Sequence, residues 1–132
     1  MLLVVDSSVA IRAASSKPAR AVLVDHELLA PPLLWSEVHS ATHAALWRGD
    51  LSEQGATALL DGLGAMGIRR RSPAGLHREA FRIATELGWA KTYDAEFLAL
   101  ARIEEAVVLS TDARLVRGAA RTGLVIGPSS LT

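Results

Sequence analysis

The stretch Leu2-Leu3-Val4-Val5-Asp6 opens the chain with four apolar residues followed by a carboxylate. An unbroken apolar run, in contrast to an alternating one, indicates a strand that is buried on both faces of a parallel sheet. Residues 107–110 form the clearest later strand, and Asp112 follows it closely. In parallel sheets, ligands bind beyond the carboxyl ends of the strands. Both acids therefore stand where a functional site is expected.

Helical segments alternate with short strand candidates along the rest of the chain. The further strands are predicted at residues 28–30, 68–70 and 124–126. The predicted helices cover residues 7–14, 17–24, 31 to about 47, 52–66, 76–87, 93–103 and a segment after Asp112 to about residue 121. Alternation of buried strands with helices predicts a three-layer α/β/α domain around a short central parallel sheet.

Composition narrows the class of protein. A chain of 132 residues, 50% hydrophobic and 21% charged, is an ordinary globular chain, and we expect a single domain over residues 1–132. Cysteine is absent, which excludes disulfides and thiolate zinc sites. No apolar run reaches the roughly 18 residues that span a bilayer, so we expect a cytoplasmic protein without a membrane partner. The formal net charge of zero argues against indiscriminate binding to polyanions, although local basic patches can still bind phosphate.

Four acids carry the chemical signal: Asp6, Glu37, Asp94 and Asp112. Taken singly, most have an ordinary explanation. Asp6 and Asp112 can cap the helices that follow them, and Asp94 lies in a first helical turn, where the helix dipole favours negative charge. Brought together, four carboxylates repel one another unless a cation joins them. Such a set is typical of a site for a hard metal ion.

Glu37 is the acid that helix capping does not explain. On an ideal helix it lies at the edge of an apolar stripe, where a carboxylate needs a partner or a metal. We expect that stripe to be formed by Leu34, Val38, Ala41 and Ala45.

Four segments around these acids resemble the motifs of the PIN-domain nucleases. The segments are Val4-Val5-Asp6-Ser7-Ser8-Val9, Leu34-Trp35-Ser36-Glu37-Val38, Tyr93-Asp94-Ala95-Glu96-Phe97-Leu98-Ala99-Leu100-Ala101 and Ser110-Thr111-Asp112-Ala113-Arg114-Leu115. Their order and spacing, and the length of the chain, are similar to the VapC toxins of bacterial toxin–antitoxin pairs. Two positions depart from the family's usual residues, because Ser40 stands where many members have Asn and Ser7 where Thr is commoner.

This resemblance implies a PIN-like fold and a metal-dependent endoribonuclease that cuts phosphodiester bonds in transfer or ribosomal RNA. Mg²⁺, or Mn²⁺ in its place, would be held by the four acids, with Asp6 and Asp94 as the expected direct ligands. Glu37 and Asp112 would bind a second ion, act through water or orient the attacking water. The resemblance also implies a cognate antitoxin as a partner, and a homodimer.

Other polar residues near the motifs are candidates for supporting roles. Hydroxyl groups that orient the acids are expected at Ser7, Ser8, Ser110 and Thr111, although turn formation explains them equally well. Phosphate contacts are expected from Lys91, Arg114 and Arg12, and the basic run Arg69-Arg70-Arg71 is either a further contact or a solvated edge.

One helix carries a second partly apolar face, formed by Trp35, His39, His43 and Leu46. Two histidines four residues apart can suggest zinc, but the metalloprotease pattern is absent. The face either meets a second protomer or an antitoxin, or is buried under a neighbouring helix. Trp47 and Trp89 either pack or stack on bases.

Two alternative functions remain at this stage. One is a PIN nuclease of RNA maturation or decay that has no antitoxin. The other, of a different class, is a non-catalytic receiver-like α/β signalling module in which Asp6 or a neighbour accepts phosphate. The receiver interpretation lacks a suitably placed lysine and leaves Glu37 and Asp94 unexplained.

Overall fold

A parallel sheet forms the centre of the protein, in a computed structural model that describes residues 1–131. Its strands within those residues are β1 (Leu2–Val5), β2 (Glu27–Ala30), β3 (Arg69–Arg70), β4 (Val107–Leu109) and β5 (Val125–Ile126). They lie in the order β3-β2-β1-β4-β5, and every pair is parallel. The first strand of the chain is therefore the central one, as its unbroken apolar run predicts.

The helices surround this sheet on both faces. They are α1 (Ser7–Ser15), α2 (Lys17–Ala21), α3 (Leu33–Arg48), α4 (Glu53–Ala65), α5 (Leu76–Leu87), α6 (Tyr93–Glu104) and α7 (Ala113–Gly118). Successive residues of a strand point to opposite faces of the sheet. Because Leu3, Val4 and Val5 are all fully buried, both faces of β1 are covered. The predicted three-layer α/β/α arrangement is confirmed.

Two predicted helices are shorter than expected, and one short element was not predicted. The helix predicted over residues 17–24 ends at Ala21, because the chain turns there to bury Leu23 while Val22 and Val24 stay exposed. The helix after Asp112 ends at Gly118 and is followed by a 3₁₀ turn over Ala120–Thr122. A second 3₁₀ turn, Pro128–Leu131, follows β5.

The buried face of α3 differs from the predicted stripe. Leu34, Val38 and Thr42 are its buried residues, whereas Ala41 is exposed. The stripe thus follows residues four apart, and the Thr42 hydroxyl is accommodated because it donates a hydrogen bond to the Val38 carbonyl at 2.7 Å. Glu37 still lies at the edge of this face and is half-buried.

α6 is the most deeply buried helix in the described part of the chain. Every residue from Ala95 to Ala101 is buried, including the charged Glu96. The helix packs against α5 and against the central strands β1 and β4. Its first turn, which carries Asp94, is consequently fixed relative to the ends of those strands. Within residues 1–131 no helix combines the length and the apolar character needed to cross a membrane.

Close contact between α1 and α4 depends on Gly62. A Cβ atom at this position would collide with the carbonyl oxygen of Ala14 and would lie 2.7 Å from Arg20 Nη1. That guanidinium donates to the Ala14 and Ala13 carbonyls at 2.8 and 3.1 Å, which satisfies two acceptors at the end of α1.

We expect Gly62→Ala to lower the free energy of unfolding by about 1–3 kcal/mol, the usual cost of forcing atoms into a filled space. Gly64→Ala is the matched control, since it lies in the same helix with no atom within 4 Å of its Cβ position. Alanine should stabilise that position by up to about 1 kcal/mol. Urea denaturation of the two variants measures both effects, and equal stability of the two would contradict this account of the contact.

Candidate functional site

The topology of the sheet brings two of the acids to one edge. Asp6 directly follows β1, and Asp112 follows β4 after two residues. β1 and β4 are paired in parallel, with Val5 opposite Leu109, and the Asp6 N–H lies 3.4 Å from the Leu109 carbonyl oxygen. Neighbouring parallel strands end on the same side, so these two carboxylates are held near each other by backbone pairing.

Asp6 is a buried carboxylate without a cationic partner in the part of the chain that the structure describes. Its side chain is only 5% exposed. The Oδ1 atom accepts hydrogen bonds from the Ser8 hydroxyl at 2.6 Å and from the Val9 N–H at 3.0 Å. Burial raises the pKa of Asp6 above its ordinary value, hydrogen bonds from Ser110, Ser8 and Val9 oppose that rise, and the charge of Asp112 adds to it.

Glu37 extends from α3 toward the same place. Its Oε1 accepts a hydrogen bond from the Ser7 hydroxyl at 2.6 Å, which joins the start of α1 to α3. Burial raises the pKa of Glu37, and Ser7 opposes the rise. The negative charges of Asp94, Asp6 and Glu96 raise this pKa further, which places Glu37 within electrostatic reach of all three.

Asp94 is the solvent-accessible member of the group, in the first turn of α6. Loss of hydration inside the pocket raises the pKa of Asp94, and the charges of Asp112 and Asp6 raise it further, while Arg114 lowers it. The pKa of Asp6 is thus raised by the charge of one other acid, and those of Glu37 and Asp94 by the charges of at least two others. The four predicted acids therefore form one interacting group.

An open pocket of about 530 Å³ gives this group access to solvent. Glu37, Asp94 and Asp112 all line it. Lys91 and Arg114 line the same pocket, so two of the three predicted phosphate contacts lie beside the acids.

The hydroxyl residues join the loops that carry the acids. The Ser8 hydroxyl donates to Asp6 and accepts from the Thr111 N–H at 3.1 Å, which connects the end of β1 to the end of β4. The buried Ser110 hydroxyl accepts from the Asp112 N–H at 3.0 Å. Asp112 in turn caps α7, accepting from the Arg114 N–H at 2.9 Å. Asp6 and Asp112 are therefore helix caps as well as members of the acidic group.

Several predicted contacts lie elsewhere. Arg12 lines a different pocket of about 470 Å³, on the side of α1 and α2, with Thr111. The three arginines of the basic run are engaged structurally: Arg69 lies 3.8 Å from Glu27, Arg70 stacks over the Trp35 ring at 4.7 Å, and Arg71 pairs with Glu104 at 3.0 Å. The basic run lies at the exposed edge of the sheet, and these contacts account for it without requiring an RNA contact.

His39 and His43 are both exposed, and they line a shallow pocket with Trp47. No neighbouring helix buries these two histidines. Nδ1 of His39 lies 2.7 Å from the Trp35 carbonyl oxygen one turn earlier.

Two features of the site and its surroundings were not predicted from the sequence. Glu96 is a fifth, buried carboxylate, 8% exposed, 3.5 Å from His77 Nε2 and within electrostatic reach of Glu37. The available signal was an acid inside the apolar run Ala95-Glu96-Phe97-Leu98. The aromatic side chains of Trp89 and Tyr93 also line the acidic pocket. Trp89 was expected either to pack or to stack on bases, without a predicted place beside the acids, and Tyr93, the first residue of the third motif, had no predicted role.

The donor chemistry fits a hard divalent cation. The acids supply only oxygen donors, and Asp6 is buried with no positive charge paired to it. No group of three or more His, Cys, Asp or Glu side chains among residues 1–131 is arranged as a ready metal cage. Mg²⁺ commonly binds through one or two carboxylates and keeps several waters. An open, acid-lined pocket of this kind suits such an ion better than a closed cage would.

Comparison with known protein families gives a match that spans most of the chain. A family model described as PIN domain matches residues 3–120. No curated protein is similar enough in sequence to count as a match.

The fold is similar to several solved structures. One is PAE2754 from Pyrobaculum aerophilum, with a TM-score of 0.75 and 21% identity over 99% of this chain and 92% of that chain. A second is VapBC2 from Rickettsia felis bound to a DNA fragment from their promoter, with a TM-score of 0.68 and 12% identity over 96% of this chain and 97% of that chain. A third is a toxin-antitoxin complex from Klebsiella pneumoniae, with a TM-score of 0.65 and 15% identity over the same shares. At these identities the likeness concerns the fold.

We expect Asp6→Asn to stabilise the metal-free protein at neutral pH, raising Tm by about 2–5 °C. Asparagine keeps the capping oxygen and removes a buried, repelled charge. A carboxyl whose pKa is raised by folding binds more protons in the folded state, so stability falls as pH rises above its unfolded pKa, near 4. The difference between variant and wild type should therefore shrink toward pH 4. Thermal denaturation in chelator across this range measures it, and a variant less stable than wild type at pH 7 would contradict the electrostatic account.

Proposed function

The chain belongs to the PIN-domain family, whose members are generally nucleases, and from that premise we propose that it is a divalent-metal-dependent endoribonuclease. Its substrate is unpaired transfer or ribosomal RNA, and the reaction is hydrolysis of one phosphodiester bond. The receiver-like alternative does not account for the grouping of Glu37 and Asp94 with the strand-end acids.

One observation carries this proposal. Asp6, Glu37, Asp94 and Asp112 come from four separate parts of the chain, yet the charge of another member raises the pKa of each of the first three, and the last three line one pocket. Such an arrangement costs folding free energy, because burial and like charges both disfavour the ionised forms. A structural role alone would not require four repelling carboxylates at one place.

Asp6 and Asp94 are the residues that hold the cation, and Mg²⁺ or Mn²⁺ is the ion that fits their oxygen donors. When bound, such an ion supplies positive charge that lowers the pKa of water and stabilises charge developing on the phosphate.

The chain's own residues supply orientation. The Ser7 hydroxyl holds one oxygen of Glu37, which leaves the carboxylate in a fixed direction beside the pocket. Glu37 accepts a hydrogen bond from the attacking water, and its raised pKa brings its basicity closer to neutral pH. Asp112 is fixed by its own hydrogen bonds at the end of the neighbouring strand β4, where it helps to orient the same water.

Lys91 and Arg114 hold the RNA backbone. Both are exposed side chains on the wall of the acidic pocket. They supply the local positive charge that a neutral chain needs at a phosphate-binding site. Arg12, which lies on α1 outside the acidic pocket, would contact a more distant part of the RNA backbone.

We expect Asp6→Asn and Asp94→Asn each to lower the rate of RNA cleavage by at least about a hundredfold while the fold is retained. Loss of a group that only orients a metal ligand already costs about 10–100-fold. Cleavage of total transfer and ribosomal RNA with Mg²⁺, followed by mapping of the new ends, measures the loss.

Asp61→Asn is the matched control, since Asp61 is exposed on α4 and does not line the pocket. It should cut at the wild-type rate. Wild-type cleavage that persists in excess chelator, or undiminished cleavage by both acid variants, would overturn the mechanism.

We further propose that the nuclease is the toxin of a toxin–antitoxin pair, acting in the cytoplasm as a homodimer. Support comes from the resemblance of its motifs to VapC toxins and from the fold shared with the Rickettsia and Klebsiella toxin–antitoxin proteins. The partner is a small protein encoded immediately upstream. The exposed face of α3 around His39, His43 and Trp47 is a candidate contact surface for a second protomer.

Expression of the wild-type chain in bacterial cells should stop growth, whereas Asp94→Asn should not, because arrest requires the nuclease. Co-expression of the reading frame immediately upstream should restore growth. Its protein product should co-purify with both the wild type and Asp94→Asn. Growth arrest without rescue by a neighbouring frame would instead favour a nuclease of RNA maturation or decay. Colony counts on inducing plates, with Asp61→Asn as the control, measure the outcome.

A further inference from the structure

Two aromatic side chains in the acidic pocket have no part in the hydrolysis described above. Trp89 and Tyr93 line the same pocket as Glu37, Asp94 and Asp112. Tyr93 directly precedes Asp94 in the first turn of α6, and its side chain is 56% exposed. A base bound against this ring would lie next to the acid that we assign as a metal ligand.

Trp89 is held in place by contacts with α5 and α7. Gly88 follows the last residue of α5 and has a left-handed conformation, φ 71°. The chain turns there, so that the Trp89 N–H donates a hydrogen bond to the Ala84 carbonyl at 2.8 Å. The indole also packs near Gly118 of α7, where a Cβ atom would lie 3.5 Å from Cζ2. The ring is therefore a partly buried wall of the pocket, supported by two helices, while Tyr93 supplies the more accessible ring.

A single exposed aromatic residue is common and needs no explanation. The position of these two distinguishes them from the other exposed aromatics of the described chain. Phe81 is 67% exposed and Trp47 is 85% exposed, yet neither lines the acidic pocket. At this pocket, two aromatic rings, two cations and three carboxylates occur together.

The composition of the pocket matches the parts of a nucleotide. Lys91 and Arg114 suit the phosphate, and aromatic rings suit the face of a base, since every base has a π-face on which a ring can stack. The volume of about 530 Å³ falls within the range of small-ligand sites and gives room for roughly one nucleotide.

We propose that Tyr93 and Trp89 form a stacking platform for one unpaired nucleobase next to the scissile phosphate. This inference rests on the proposed nuclease function. A base inside a duplex has its faces covered by its neighbours, so only a base in a loop or single strand can occupy the platform. The platform thus makes this chain select unpaired RNA and sets where the backbone enters the acidic site.

The first test measures binding without cleavage. The parent protein is Asp6→Asn in magnesium buffer, and the probe is an unstructured RNA of about a dozen nucleotides with a single 2-aminopurine, whose fluorescence falls when it stacks. Adding Tyr93→Ala should weaken binding by about tenfold, within the range measured for loss of one stacked base, and should abolish the fluorescence change. Tyr93→Phe should behave as the parent, because stacking needs the ring and not the hydroxyl. Trp89→Phe should reduce the fluorescence change partially.

Phe81→Ala and Trp47→Ala are the matched controls, each removing an exposed ring outside the pocket. Salt dependence separates stacking from phosphate contact. Tyr93→Ala should leave the slope of log Kd against log salt unchanged, whereas Lys91→Ala and Arg114→Ala should each reduce the slope by about 0.7. A fully paired duplex of the same sequence should bind the parent and the aromatic variants equally and give no fluorescence change.

The platform is overturned if Tyr93→Ala binds as the parent does, if Tyr93→Phe loses as much as Tyr93→Ala, or if the parent does not bind the probe. These measurements do not depend on cleavage. Absence of any RNA cleavage by the wild type, with stacking intact, would remove the nuclease function and leave a base-binding site. Cleavage by Tyr93→Ala at the wild-type rate and position would remove the platform and leave the nuclease.

Discussion

The parallel pairing of β1 with β4 is the constraint on which the site depends. It fixes the strand ends side by side, so that Asp6 and Asp112 lie on one edge of the sheet without any direct attraction between them. The central position of β1, paired on its other side with β2, buries Asp6 and gives its charge little water. α6 packs against β1 and β4 and therefore presents Asp94 at the same edge. Geometry imposed by apolar packing thus assembles a group that electrostatics alone would disperse.

Hydrogen bonds from hydroxyl groups lower the free-energy cost of bringing these carboxylates together in the folded protein. Ser8 is the clearest case, since it donates to Asp6 and accepts from the backbone after β4, which ties together the two loops that carry acids. Ser7 does the same between α1 and Glu37 of α3. Neutral donors of this kind reduce the cost of a buried carboxylate without cancelling its charge. An arginine in their place would neutralise the acid and remove its affinity for a cation. The choice of serines therefore preserves negative charge at the pocket.

Most of the fold follows from local sequence patterns, and the errors have physical causes. β1 and α5 have the predicted limits, because an unbroken apolar run and a strongly amphipathic segment leave few alternatives. The end of α2 was misjudged since burial of Leu23, a tertiary effect, decides where that helix stops. Thr92 is the N-cap residue of α6, but its side chain makes no capping bond. The exposed Ala41 and buried Thr42 show the same limit, because hydrophobicity alone does not reveal that a hydroxyl can bond to its own helix.

The acids of the site, its serine hydroxyls and two of its cations could be predicted from the sequence, but the double role of the strand-end acids could not. Helix capping and metal binding looked like alternatives for Asp6 and Asp112, yet capping bonds from Val9 and Arg114 each use only Oδ1 of the acid concerned. A carboxylate has a second oxygen, so one residue can fix a helix and still face a cation. Trp89 was a candidate for base stacking, but the place of Trp89 and Tyr93 beside the acids could not be predicted, for the opposite reason. Trp89 and Tyr93 have no charge to balance, and only the turn at Gly88 and the packing on α7 bring their rings to the acids. A buried charge can be recognised from the sequence because it needs compensating groups nearby, whereas the position of an aromatic ring is decided by tertiary packing.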